Sequence, residues 1–267
     1  HSLIEVTNKV RVETKIAGDP TQTCLLFIPG LGANASQFED QLRYFSKQYY
    51  AVAISLRGHG LSTFPLEADV QDFKLSTLAN DLLIVMSYLN IEKFHIIGNS
   101  TGGLVAYEIL RATPKRVKSI TTFGTTAELH SGILGNFVVI LDHLLGPFIT
   151  AMLAKQTVSK NKLAAHQVAD MIKSTPKEVI INTRRNLLDY DYLPILEQNL
   201  STPMLLIQGE YDSEINSQLH TTQEILNKGP HNQIAKIESA GHFANLDKPT
   251  QFNQILEGFL TNLPSQI

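Results

Sequence analysis

The sequence predicts an α/β fold: one mostly parallel, eight-stranded sheet with helices on both faces. Three observations carry that expectation. Short apolar runs of strand character alternate with longer helical runs, the order that lays helices over both faces of a parallel sheet. A G-x-S-x-G pentapeptide, Gly98-Asn99-Ser100-Thr101-Gly102, stands between a strand-like run, Lys93-Phe94-His95-Ile96-Ile97, and a helical one at 103–111. The chain also has 267 residues, 43% of them hydrophobic, enough for a large core in one domain.

Taken in order, residues 2–6 and 10–16 read as an opening hairpin. Thr23-Cys24-Leu25-Leu26-Phe27-Ile28 is a continuous apolar run, as expected of a strand buried on both faces, and it ends in the turn residues Pro29-Gly30-Leu31-Gly32. A helix is expected over 35–47 and a strand over 50–55. A helix at 76–90 then precedes the strand at 93–98, and the helix at 101–112 precedes the strand at 117–123. Further strands are expected at 203–208 and 233–238, each with a helix behind it, at 215–227 and 249–262. The alternation breaks only over 127–195, where helical segments follow one another. Residues 127–195 therefore read as a helical cap inserted into a core made of 1–126 and 196–267. Within it, residues 133–149 form the most apolar stretch of the chain, but Asp142, His143 and Pro147 argue against a membrane span. Leu, Ile, Phe and Met side chains of this stretch, Phe137 and Phe148 among them, are expected to line an apolar substrate pocket together with Phe243.

The chemistry starts at Ser100. A serine between a strand and a helix in G-x-S-x-G sits on a strained turn that projects its hydroxyl clear of the sheet. Gly98 and Gly102 are small because the two backbones approach closely there. A hydroxyl is a poor nucleophile until a base takes its proton, and the partners of such a turn follow in the chain order Ser, acid, His. Glu210-Tyr211-Asp212 follows one predicted strand, and Ser239-Ala240-Gly241-His242 follows the next. The expected assignment is Ser100 as nucleophile, His242 as general base and then acid, and Asp212 as the carboxylate that orients the imidazole. Glu210, Glu214 and Glu128 compete for the acid's place. The Gly209-x-x-Asp212 spacing, which lets the chain leave the strand and turn back, favours Asp212. A tetrahedral oxyanion needs two backbone N–H donors, expected from Leu31 and Thr101 and typically worth about 3 kcal/mol of barrier each. The glycine-rich loop is not of a phosphate-binding type, since neither G-x-x-x-x-G-K-[ST] nor G-x-G-x-x-G occurs.

With these residues in view, the chain resembles the α/β-hydrolase superfamily, in its serine-nucleophile branch of esterases and C–C hydrolases, over nearly its whole length. The resemblance rests on Pro29-Gly30-Leu31-Gly32, Arg57-Gly58-His59-Gly60-Leu61-Ser62, the Ser100 turn, Gly209-x-x-Asp212 and Gly241-His242. It implies the fold, the triad and an acyl-enzyme route without cofactor or metal. There are departures. Pro29 stands where the family often has His, and Ser55 stands where an Asp often precedes the Arg-Gly-His-Gly segment. His59 is read as bracing its loop.

The expected substrates are carboxylic esters of small to medium, largely apolar molecules. A lactonase or perhydrolase could run on the same triad. Gly-Asn-Ser-x-Gly-Gly is also similar to C–C hydrolases of the meta-cleavage-product type, with Asn34, Arg184 or Arg185 as further polar contacts. Those enzymes usually carry Trp after the catalytic His, where this chain has Phe243 and no Trp anywhere. A ligand-binding receptor on the same fold is the alternative outside enzymes. A net charge of −3 argues against nucleic acid as a partner. The single cysteine, Cys24, allows no internal disulfide, and no signal-peptide pattern opens the sequence, so a cytoplasmic protein is expected.

Overall fold

The structure, a computed structural model, describes residues 1–130 and 161–264. The apolar segment at 133–149, with Phe137 and Phe148, lies outside the described residues.

The elements follow the expected alternation. The hairpin β1 (Ser2–Thr7) and β2 (Val10–Ala17) opens the chain, and β3 (Cys24–Ile28) follows. A 3-10 turn (Ala35–Phe38) leads into α1 (Glu39–Phe45), then β4 (Tyr50–Ile54). A second 3-10 turn (Val70–Phe73) precedes α2 (Leu75–Tyr88), β5 (Phe94–Asn99), α3 (Thr101–Ala112) and β6 (Val117–Phe123). Between β6 and the next sheet strand lie β7 (Glu128–His130), α4 (Lys162–Ser174), α5 (Lys177–Arg185), β8 (Asp189–Asp191) and α6 (Leu193–Gln198). The chain closes with β9 (Met204–Gly209), α7 (Ser213–Asn216), α8 (His220–Leu226), β10 (Gln233–Ile237), α9 (Ala244–Asp247) and α10 (Pro249–Thr261).

Eight strands form one sheet in the order β1-β2-β4-β3-β5-β6-β9-β10. The β1–β2 and β2–β4 pairs are antiparallel, and every pair from β4 to β10 is parallel. Side chains alternate faces along a strand, so both faces of the central strands must be apolar. In β3, Cys24, Leu26 and Ile28 join the core beneath α2 and α3, while Leu25 and Phe27 join the opposite core beneath α1 and α10. In β4, Val52 and Ile54 face the first core, and Ala51 and Ala53 the second. Parallel strands with the same sense bring their carboxyl ends to one edge, and the loops after β3, β5, β9 and β10 open there.

Three local differences from the sequence reading have physical causes. The helix expected at 35–47 starts as a 3-10 turn, because the Asn34 side chain caps it by accepting the Ser36 N–H at 2.9 Å. The helix expected at 215–227 is two short helices. The Asn216 amide donates to the Gly209 carbonyl at 2.8 Å and so ties the first of them back to the strand end. The segment after β6 is not wholly helical, since β7 and β8 pair antiparallel at its base.

One buried ion pair holds the loop after β4 to α2. Arg57, 4% exposed, donates from Nε and Nη2 to the two carboxylate oxygens of Asp81, each at 2.7 Å. Burial pushes the Asp81 pKa up, against the pull of the guanidinium. Removing Asp81 leaves the buried Arg57 with only a longer contact, 3.6 Å from Nη1 to the half-buried Asp72 carboxylate. Asp81→Ala is therefore expected to destabilise the protein by about 3–5 kcal/mol in urea unfolding. A loss below about 1 kcal/mol would mean that water reaches the pair.

Candidate active site

The Ser100 turn is built as the sequence expected. Ser100 has φ 52° and ψ −120°, a left-handed backbone held by a residue other than glycine. Such conformations cost on the order of 1–3 kcal/mol and persist only where packing enforces them. Here the enforcement comes from two glycines. A Cβ on Gly98 would collide with the Gly102 backbone, and one on Gly102 with the Ile28 carbonyl. Ser100 also donates its N–H to the Phe123 carbonyl at 3.0 Å, which ties the turn to the end of β6.

The loop after β10 delivers the imidazole. His242 Nδ1 lies 2.9 Å from Asp212 Oδ2, in the loop after β9. A carboxylate accepts, so this nitrogen carries the proton and Nε2 is left with its lone pair. Burial opposes the charged imidazole. The Asp212 carboxylate, through its charge and its hydrogen bond and with a smaller pull from Glu214, outweighs that, and the His242 pKa stands above the ordinary imidazole range. Asp212 is 3% exposed. Its rivals sit elsewhere: Glu210 accepts from the Ser239 N–H and pairs with Lys236, Glu214 is exposed, and Glu128 lies in the β7–β8 ladder.

Close contacts show how these loops converge. A Cβ on Gly124, just after β6, would lie 2.8 Å from Cε1 of His242 and 3.1 Å from Nδ2 of Asn99. A Cβ on Gly30 would lie 3.1 Å from the Cβ of Ser100, so the Pro29–Gly32 loop stands directly beside the serine. Among the described residues, neither the Leu31 nor the Thr101 amide donates a hydrogen bond outside its own element. Nor is there, among the described residues, any group of three His, Cys, Asp or Glu side chains able to hold a metal ion.

Other residues singled out by the sequence have structural surroundings. His59 is fully buried, and its Nδ1 donates to the Arg57 carbonyl at 3.0 Å. Burial pulls its pKa down to about 4, so it is neutral at pH 7. Phe243 is 3% exposed and packs in a small apolar cluster with Ala33, Ala164, Val168 and Ile172, which joins α4 to the loops beside Ser100 and His242. The Asn34 side chain is occupied as the cap described above. Arg185 is exposed, and Arg184 is half-buried with a partner of its own.

Sequence reading missed Glu13. Where the family often has an Asp, Ser55 accepts the Ala35 N–H at 2.8 Å and donates to Glu13 Oε2 at 2.7 Å. The same carboxylate oxygen accepts the Leu61 N–H at 3.1 Å. The carboxylate thus comes from β2, one strand away. The neighbouring Ser55 N–H to Glu13 carbonyl bond, 2.9 Å long, places the two side chains together. No local pattern around residue 13 could have disclosed this, because the partner lies 42 residues away in sequence.

Comparison with known proteins agrees with this fold. A family profile described as alpha/beta hydrolase fold matches residues 23–142. The chain is 26% identical over 271 residues to 3-oxoadipate enol-lactonase 1 of Acinetobacter baylyi, covering 98% of each chain. Among solved structures, the enol-lactonase from Burkholderia xenovorans superposes with a TM-score of 0.85 at 19% identity, covering 97% of this chain and 99% of that one. A thermophilic esterase from Thermogutta terrifontis superposes with a TM-score of 0.84 at 20% identity, covering 95% and 94%. With the sheet order, the glycine-enforced serine turn and the profile match in agreement, this chain has the α/β-hydrolase fold.

Proposed function

We propose that the protein is a serine hydrolase that cleaves carboxylic esters through an acyl-enzyme intermediate. The observation that carries the reading is the pairing of a strained, left-handed Ser100 with a buried Asp212–His242 couple whose Nε2 has no hydrogen-bond partner among the described residues. In this mechanism Ser100 Oγ adds to the ester carbonyl carbon while its proton passes to His242 Nε2. The carbonyl oxygen becomes an oxyanion that accepts from the Leu31 and Thr101 N–H groups. As the intermediate collapses, the C–O bond to the alcohol breaks and His242 returns the proton to that oxygen. Water then repeats the sequence on the acyl-enzyme, with His242 again as base, and frees the acid and Ser100. Asp212 stabilises the imidazolium in each half-reaction. Residues 127–195 act in this reading as the inserted cap, with α4 packed on the loop that carries Leu31.

A lactone is a cyclic ester and needs no further machinery. The near full-length similarity to an enol-lactonase favours it as the second substrate class. The C–C hydrolase reading gains less from the structure. The Asn99 amide already donates to the Phe123 and His242 carbonyls, both at 3.1 Å, and accepts from Gln37 at 3.0 Å. A substrate acceptor at Asn99 would have to displace one of the two Nδ2 bonds.

The test is a panel of nitrophenyl esters of increasing acyl length beside simple and enol lactones. Turnover of the short esters is expected, with graded length preference, because a methylene in an apolar pocket is worth only about 1–3 kcal/mol. Ligand binding without turnover of any ester or lactone would overturn the proposal in favour of a receptor.

A further inference from the structure

We infer that Gln37, Asn99 and Asn245 form a buried amide junction that sets the catalytic loops in register, with Gln37 and Asn245 acting as positioning residues for His242 and Ser100. The inference rests on the serine-hydrolase reading of the site.

Gln37 follows the Leu31 loop, Asn99 precedes Ser100, and Asn245 lies three residues beyond His242. All three are 0% exposed. Gln37 Nε2 donates to Asn99 Oδ1 at 3.0 Å and to Asn245 Oδ1 at 3.2 Å. The Asn245 amide in turn donates to the Gln37 carbonyl at 2.9 Å. Asn99 spends both its N–H groups on backbone: the Phe123 carbonyl at the end of β6 and the His242 carbonyl itself, each at 3.1 Å. The carbonyl of the proposed base is thus tied to the residue beside the proposed nucleophile. Gln37, by donating to Asn99 Oδ1, holds the Asn99 amide in the orientation that aims Nδ2 at the Phe123 and His242 carbonyls.

The junction continues outward. Asn245 Nδ2 also donates to Gln41 Oε1 at 3.0 Å, and Gln41 Nε2 donates to Asn253 Oδ1 at 2.9 Å. This outer end binds α1 to α10 and meets the junction only through Asn245. A purely structural network would make the two ends equivalent. Buried amides are costly to leave unpaired and polarise one another in a low-dielectric interior, so breaking either end destabilises the fold. Only the inner end reaches His242.

That difference supplies the test. Gln37→Leu, with Asn253→Ala as the outer-end comparison, is assayed with a wild-type ester substrate across pH, alongside thermal unfolding. Wild type and Ser100→Ala are run in parallel with a serine-directed organophosphonate. Both variants are expected to lower Tm. Only Gln37→Leu is expected to reduce kcat, about 10- to 100-fold with KM within about twofold, and to shift the acid limb of the pH profile downward as the Asp212–His242 pair loosens. If Gln37→Leu fails to fold, Gln37→Met keeps the size while removing both donors without adding a charge, and is read the same way. Equal Tm losses with kcat and the acid limb unchanged in the inner-end variant would overturn the inference. Wild type that neither turns over esters nor labels at Ser100 would overturn the serine-hydrolase reading, and this inference with it.

Discussion

Ser100→Ala is expected to lose at least about three orders of magnitude in ester turnover while folding normally. The members of such a triad act as a unit, and what remains after removing the nucleophile comes from the oxyanion donors and binding alone. The variant keeps its Cβ, so the left-handed strain at φ 52° stays in place and Tm should hardly move. Ser100→Gly would behave differently: equally inactive, but more stable by about 1 kcal/mol, since glycine adopts that backbone freely. An organophosphonate should add to wild type at Ser100, with the adduct located by mass spectrometry. An adduct on another serine, or turnover that survives Ser100→Ala, would remove Ser100 from the role.

Asp212→Asn is expected to lower turnover by about two to four orders of magnitude with the fold intact, because an amide no longer enforces the Nδ1–H tautomer or stabilises the imidazolium. The pH profile gives the sharper reading. Activity requires neutral His242, so the wild-type rate should rise with pH through an apparent pKa above the ordinary imidazole range, the direction set by the Asp212 carboxylate. Without that charge, burial of the imidazole prevails, and the acid limb should move to lower pH even as the plateau falls. A mild Asp212→Asn beside a crippled Glu128→Gln would reassign the acid to Glu128.

Much of this was legible along the chain because the signals are local. The continuous apolar run of β3, the glycines on either side of Ser100, and the carboxylate and imidazole that follow β9 and β10 each occupy a few consecutive residues. Periodicity, the steric demands of the turn and the chain order of the triad can be read within such windows. Those features settled the fold class and named Ser100, Asp212 and His242 as a set before any contact was known.

Tertiary structure alone decided which polar groups are buried together. Glu13 meets Ser55 across the antiparallel β2–β4 pair, and Gln37 meets Asn245 across 208 residues of sequence. An isolated Gln or Glu in a sequence defaults to a solvated surface, and nothing in its neighbourhood contradicts that. Whether it is buried depends on which strands pair and which helices cross over them. Whether it is tolerated there depends on finding hydrogen-bond partners supplied by other elements. Sequence therefore named the candidate groups of the proposed site, while the packing of distant elements determined how those groups are held relative to one another.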